Sequence, residues 1–377
     1  MKPFTFHPGP RLVSGAGSAA RLAARLPVGP CLFVTDRDVV ALGLTDACRA
    51  TLGEIILFDA VEADPSKETL LAAVLAGRAA GAASVLGFGG GSPMDVAKLA
   101  AYLLGSGDDL DAIWGVGLAT GQRLPLALVP TTAGTGSEAT PVAVITCEGG
   151  EKRGVNSPAL IADWAALDAS LTVGMPRPLT AATGIDAIVH AIEAFTSAKT
   201  KNPLSDLYAV EALKLLSANL LTACNQPTDL AARSAMLLGA HLAGLAFANA
   251  PVAGVHALAY PLGGIHHLPH GLSNALMLRH VLQHNQEAAR EDYATLAQVI
   301  EPGCAGQGSQ AQSGLLIDRL DALVTASGLA PRLRDHGIAL SDIPTLAREA
   351  MKQQRLLVNN PCAIDEADAR RLYEAAW

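Results

Sequence analysis

Asp186 and His190 stand four residues apart in GIDAIVHAIEAF, and His256 and His270 stand fourteen apart in GVHALAYPLGGIHHLPHG. Residues four apart on a helix share a face, so this carboxylate and imidazole can grip one ion from the same side. Gly and Pro break the second segment, which lets its two histidines converge from separate elements. One carboxylate with three neutral imidazoles leaves a divalent ion some residual positive charge, and the set suits iron or zinc better than magnesium or calcium. An ion held this way is a Lewis acid. Seven of the ten histidines lie between His241 and His284, so counting alone does not single out the donors.

A second kind of chemistry is written in glycine. In SVLGFGGGSPMDVAK an apolar run leads through Gly89, Gly90 and Gly91 to Ser92 and Pro93, a suitable N-cap and first helical residue. A pyrophosphate there would meet unpaired amides and the positive end of the helix dipole. Asp95 falls in the first turn, where its charge suits the dipole with or without a ligand. PTTAGTGSE also follows a strand-like run and offers Thr131, Thr132 and Thr135, but it lacks the lysine of a P-loop. Gly15, Gly17 and Ala20 spell G-x-G-x-x-A, yet Pro8 and Pro10 stand where a buried strand should lead in, so an ordinary turn is the better reading. Asp36, closing CLFVTD, either caps the next helix or accepts from adenosine ribose hydroxyls. In the second role it would repel a 2′-phosphate and favour NAD over NADP.

These residues need a scaffold, and the chain is long enough for two domains, at 377 residues. CLFVTD, EIILFDAV, SVLGFGG and LPLALVP read as strands, alternating with helices near 18–26, 67–80 and 94–104. Such alternation implies parallel strands with helical crossovers. Beyond Thr180 the pattern turns almost wholly helical. The expected division is an α/β nucleotide-binding domain over 1–177 and a helical metal-binding domain over 178–377. No uninterrupted apolar run approaches the length of a membrane helix, and the first residues lack a secretory apolar core, so a cytoplasmic protein without membrane attachment is expected. Six scattered cysteines without a C-x-x-C pair argue against disulfides and thiolate zinc. A net charge of −8 with no Lys/Arg cluster argues against nucleic acid as a partner and for a small molecule.

Taken in order, VTD, GGGSPMDVAK, PTTAGTGSEATPVAVIT, LTAATGIDAIVHAIEAF, the histidine segment and NNPCAIDEADARRLYEAA resemble the iron-dependent alcohol dehydrogenases, relatives of dehydroquinate synthase, over nearly the whole chain. The resemblance implies a dehydroquinate synthase-like fold: an N-terminal α/β dinucleotide-binding domain with a parallel sheet, an all-helical C-terminal domain, and a metal at the cleft between them. It implies Fe2+ (or Zn2+) on Asp186, His190, His256 and His270, and NAD on Asp36, Gly89, Gly90, Gly91, Ser92, Asp95, Thr131, Thr132 and Thr135, with Lys152 toward the nicotinamide. Phe247 and Cys362 match pocket-lining positions. The implied reaction is hydride transfer between a small alcohol or aldehyde and NAD(H), in a homodimer or larger homo-oligomer.

Two departures stand out. Tyr260 occupies a place where many members carry a proton-relay histidine, and Asp64 with Pro65 replaces Asn-Pro. Tyrosine passes a hydroxyl proton but does not titrate near neutrality as histidine does. The relay candidates are therefore Tyr260, His266 and His267. Rival readings are a maleylacetate reductase of the same fold, an NAD-assisted lyase, and a metallohydrolase that ignores nucleotides. The complete donor set and PTTAGTGSE speak against the first, and the lack of basic residues beside the histidine segment speaks against the second.

Overall fold

The computed structural model describes residues 3–377. Its backbone divides into one unit spanning His7–Gly174 and a second spanning Met175–Trp377, to which residues 3–6 also belong. The ring of Phe6 stacks on Tyr208 of that second unit, at 5.8 Å between centroids.

The first unit is built on six parallel strands. In chain order they are Arg11–Ser14, Cys31–Val34, Ile55–Phe58, Ser84–Gly89, Leu126–Pro130 and Trp164–Leu167. Across the sheet the order is first, sixth, fifth, fourth, second, third. Alternate residues of each strand point to opposite faces. Leu32, Val85, Leu126 and Leu128 therefore pack under the helix Gly91–Ser106, while Phe33, Leu86, Phe88 and Val129 pack on the other face with Leu22. Burial on both faces explains why these strands read as unbroken apolar runs. Three further strands, Gly115–Val116, Val142–Thr146 and Lys152–Asn156, form a small separate sheet whose last two members pair antiparallel. KRGVN is half-exposed and carries no apolar run, so its sequence does not suggest a strand.

The second unit is helical. Arg177–Phe195 is its central helix, buried along almost all of its length after Thr180. Pro178 starts it without costing a hydrogen bond, because the first-turn amides have no partner anyway. Pro203–Asn225 and Leu230–Asn249 pack against it and against each other. By length and composition both are apolar enough to cross a membrane, with mean hydropathies of 1.3 and 1.4. In this unit their apolar faces serve as core, including Leu213, Leu216, Leu220, Met236 and Leu237. Gly254–His266 and His270–Asn285 follow, separated by a short break at 267–269.

Candidate metal centre and nucleotide loops

Three helices of the second unit bring four side chains to one point. Arg177–Phe195 supplies Asp186 and His190, Gly254–His266 supplies His256, and His270–Asn285 supplies His270 at its first residue. One ligand atom from each lies within 4.8 Å of the other three. Asp186 Oδ1 stands 3.8 Å from His190 Nε2, 3.7 Å from His256 Nε2 and 3.6 Å from His270 Nε2. Those separations are too long for hydrogen bonds. They suit the edges of a coordination polyhedron instead, since a tetrahedron with metal–nitrogen bonds of about 2.1 Å has edges of about 3.4 Å. The donor set thus fits a divalent transition metal. Asp186, His190 and His256 are buried, whereas the His270 side chain is 39% exposed, so His270 is the donor most accessible to solvent. Burial pushes the Asp186 carboxyl up, but the three imidazoles and the Asn274 amide outweigh it and hold the group below the ordinary carboxylate range.

Close helix packing makes this convergence possible. A Cβ on Gly271 would collide with the carbonyl of Ala182, so only glycine lets the helix His270–Asn285 approach the central helix here. Sequence reasoning missed Glu193, buried seven residues after Asp186 on the same helix face. Its carboxylate accepts from the amides of Ala253 at 2.9 Å and Val255 at 2.6 Å, two donors at the start of the His256 helix. It also lies 2.6 Å from His256 Nδ1. An ionised carboxylate only accepts, so His256 donates from Nδ1, and its neutral form then keeps the Nε2 lone pair for an ion. The two-turn spacing from Asp186 was the available signal for Glu193.

The NNPC segment supports the same helix start. Asn359 Nδ2 donates to the Val252 carbonyl at 3.1 Å, and Asn360 Oδ1 accepts from the Gly254 amide at 3.3 Å. Asn360 and Asn285 exchange two amide hydrogen bonds, of 2.9 and 2.7 Å. Cys362 donates its thiol to Asn285 Oδ1 at 3.2 Å, which places it in this clamp. Phe247 lies against His190, at 4.5 Å between ring centroids. Tyr260, one turn beyond His256, has its ring 5.9 Å from that of His270. His266 stands 3.7 Å from Asp342, and His267 caps the helix in the left-handed conformation with φ 55°. Neither belongs to the four-donor cluster.

The loops of the first unit gather most of the predicted nucleotide residues. Gly89 has φ +149°, and a Cβ there would meet Pro93 at 2.8 Å and Asp36 Oδ2 at 3.3 Å. Cβ atoms on Gly90 and Gly91 would meet Thr132 and Thr135, and the Thr131 amide donates to the Gly89 carbonyl at 2.9 Å. The two loops therefore face each other across space that side chains at these glycines would fill, and the helix Gly91–Ser106 begins beneath them. Asp36 accepts from the Val39 amide through Oδ1 at 2.8 Å and so caps its helix, while Oδ2 is the oxygen nearest Gly89. Burial pushes this carboxyl up, with only partial relief from the Val39 amide.

Lys152 reaches the same region through Asp64. Asp64 accepts from Lys152 Nζ at 2.6 Å, and its amide donates to Ser92 Oγ at 3.3 Å. Asp95 instead points inward. It accepts from Ser137 Oγ at 2.6 Å and from the Val144 amide at 2.9 Å, beside buried Lys98. Lys98 donates to Ser137 and to the Val142 carbonyl, both at 2.7 Å. Burial drives the Asp95 carboxyl up and the Lys98 ammonium down, and their mutual attraction offsets part of each shift. This pair fastens the threonine loop to the glycine-loop helix. At Gly15 and Gly17 both φ angles are positive, and the helix that follows has six residues. Its Ala19 amide already meets the carboxylate of Asp168 at 3.4 Å, so that turn is structural.

Comparison with known proteins bears on family and fold. Residues 9–169 match a family model described as iron-containing alcohol dehydrogenase, and residues 180–377 match the C-terminal model of the Fe-containing alcohol dehydrogenase family. Long-chain-alcohol dehydrogenase 1 of Geobacillus thermodenitrificans is 39% identical over 360 residues, covering 94% of this chain and 91% of that protein. The crystal structure of a 1,3-propanediol oxidoreductase superposes with a TM-score of 0.96 at 31% identity, covering 100% of both chains. Sulfoacetaldehyde reductase from Bifidobacterium kashiwanohense, solved in complex with NAD+, superposes with a TM-score of 0.87 at 28% identity over 100% of this chain and 99% of that one.

Proposed function

The chain belongs to the iron-containing alcohol dehydrogenase family and transfers hydride between a small alcohol or aldehyde and NAD(H); from that premise we propose how its residues divide the work. Asp186, His190, His256 and His270 hold one divalent ion, Fe2+ or Zn2+. The observation that carries this reading is the convergence of their four ligand atoms within 4.8 Å on three packed helices. When bound, the ion supplies Lewis acidity toward the substrate oxygen, and NAD supplies the hydride acceptor.

Glu193 holds His256 in the tautomer that offers Nε2. Phe247, against His190, gives the centre an apolar wall. Tyr260, beside the more exposed ligand His270, hands on the hydroxyl proton of the alcohol, while His266 and His267 serve only as outer relays toward solvent. Gly89, Gly90, Gly91 and Ser92 receive the pyrophosphate, and Thr131, Thr132 and Thr135 line its other side. Asp36 selects NAD through the ribose hydroxyls. Lys152, held by Asp64, lies toward the nicotinamide end. Asp95 acts on the cofactor through the threonine loop it anchors, and Cys362 acts on the pocket through Asn285. We assign the protein to the cytoplasm; the packing of Leu213, Leu216, Leu220, Met236 and Leu237 of its two membrane-length helices into the core supports this.

Purified protein supplied anaerobically with Fe2+ or Zn2+ is expected to form NADH from short primary alcohols and to oxidise NADH with the matching aldehydes. No change in NADH across such a panel would overturn the reading.

A further inference from the structure

The amide of Asn274 lies within the donor cluster. Four residues after His270 on one helix, it projects from the same face. Its Nδ2 donates to Asp186 Oδ1 at 2.6 Å and stands 3.2 Å from His256 Nε2 and 3.3 Å from His270 Nε2. The residue is fully buried, and its Oδ1 has no hydrogen-bond partner. Such an orphaned acceptor is costly, so the fold sacrifices one end of the amide to place the other among the ligands. Reversing the amide would set two acceptor oxygens against each other at Asp186, which fixes Nδ2 as the inward atom.

The contact to Asp186 Oδ1 suits the cluster before and after an ion arrives, whereas those to the two Nε2 atoms serve the metal-free protein. With His256 neutral, as an ion requires it, Asp186 Oδ1 and His256 Nε2 are acceptors facing one another in a buried site, and without a cation their lone pairs repel. The two N–H bonds of Asn274 are the donors within reach of them. Once a cation takes one lone pair of Oδ1, that oxygen keeps a second for Nδ2.

We propose that Asn274 is a positioning residue that preorganises the four-donor cluster in the metal-free protein and thereby sets its affinity for a divalent ion. The inference rests on the metal reading above. Its test is titration of the metal-free full-length protein with Co2+ against a competing chelator, with the visible d–d bands recorded as a report on the ligand set.

Asn274→Ala is expected to bind one Co2+ per chain about 10- to 100-fold more weakly than wild type, with unchanged band positions. Asn274→Ser, which keeps a smaller donor, is expected to fall between the two and carries the test if the alanine variant does not fold. Affinities for both variants within about twofold of wild type would overturn the proposal, since an outer partner of a ligand should cost tenfold or more. Shifted bands in Asn274→Ala would also overturn it, because Asn274 would then be a ligand itself. A wild-type protein that takes up no Co2+ overturns the metal reading, and this inference falls with it.

Discussion

The helical cluster and the α/β loops are built in opposite ways. Around Asp186 the proposed working atoms belong to side chains, three of them buried, with Glu193 and Asn274 hydrogen-bonded to the cluster. Around Gly89 the proposed working surface is backbone, and nearby charged side chains have protein partners: Asp95 with Ser137, Lys152 with Asp64. An ion needs a few strong donors at fixed distances, whereas a pyrophosphate needs amides and room. On the proposed division of work, one region should fail when a side chain is removed, and the other when a side chain is added.

The sharpest test of that contrast is Asp186→Ala. It removes the only charged donor and should abolish bound metal, lowering alcohol oxidation about a thousandfold if the ion supplies about 4 kcal/mol to the transition state. NAD affinity, measured by calorimetry, should stay at the wild-type level, and a matching loss there would blur the distinction. Next in size is Lys98→Met, which strands the Asp95 carboxylate in the core of the first unit. Denaturant unfolding should show a loss of about 3 kcal/mol or more, with metal content per folded chain unchanged.

Glu193→Gln keeps the shape but replaces one acceptor oxygen with a donor amide. Metal affinity should fall about 10- to 100-fold by chelator competition, because His256 loses its tautomeric anchor. Smallest is Asp36→Asn. Loss of a charge-assisted bond to ribose should weaken NAD binding by about tenfold and narrow the gap to NADP, with metal affinity untouched.

How much was legible in the sequence follows from the same contrast. Asp186 and His190 announce themselves because helical spacing is local, and the glycine loop does so because it follows a strand buried on both faces. The second face-to-face element, PTTAGTGSE, was readable for the same reason. Glu193 and Asn274 carry the right helical spacing from Asp186 and His270, but their roles depend on where a distant helix start and another helix land. The partners of Asp95 and Lys152 are not legible, because sequence does not reveal which way a charged side chain turns once Ser137 or Asp64 is within reach. The antiparallel pair Val142–Thr146 and Lys152–Asn156 escaped notice because part of it faces solvent and offers no long apolar run.

The central claim is that the four side chains hold the ion on which hydride transfer depends. Removal of metal with a chelator, confirmed by elemental analysis, followed by stepwise return of Fe2+ under anaerobic conditions tests it most directly. NADH formation is expected to vanish in the metal-free protein while NAD still binds, and to return in proportion to iron up to one ion per chain. Full turnover by a protein shown to contain no metal would contradict the account.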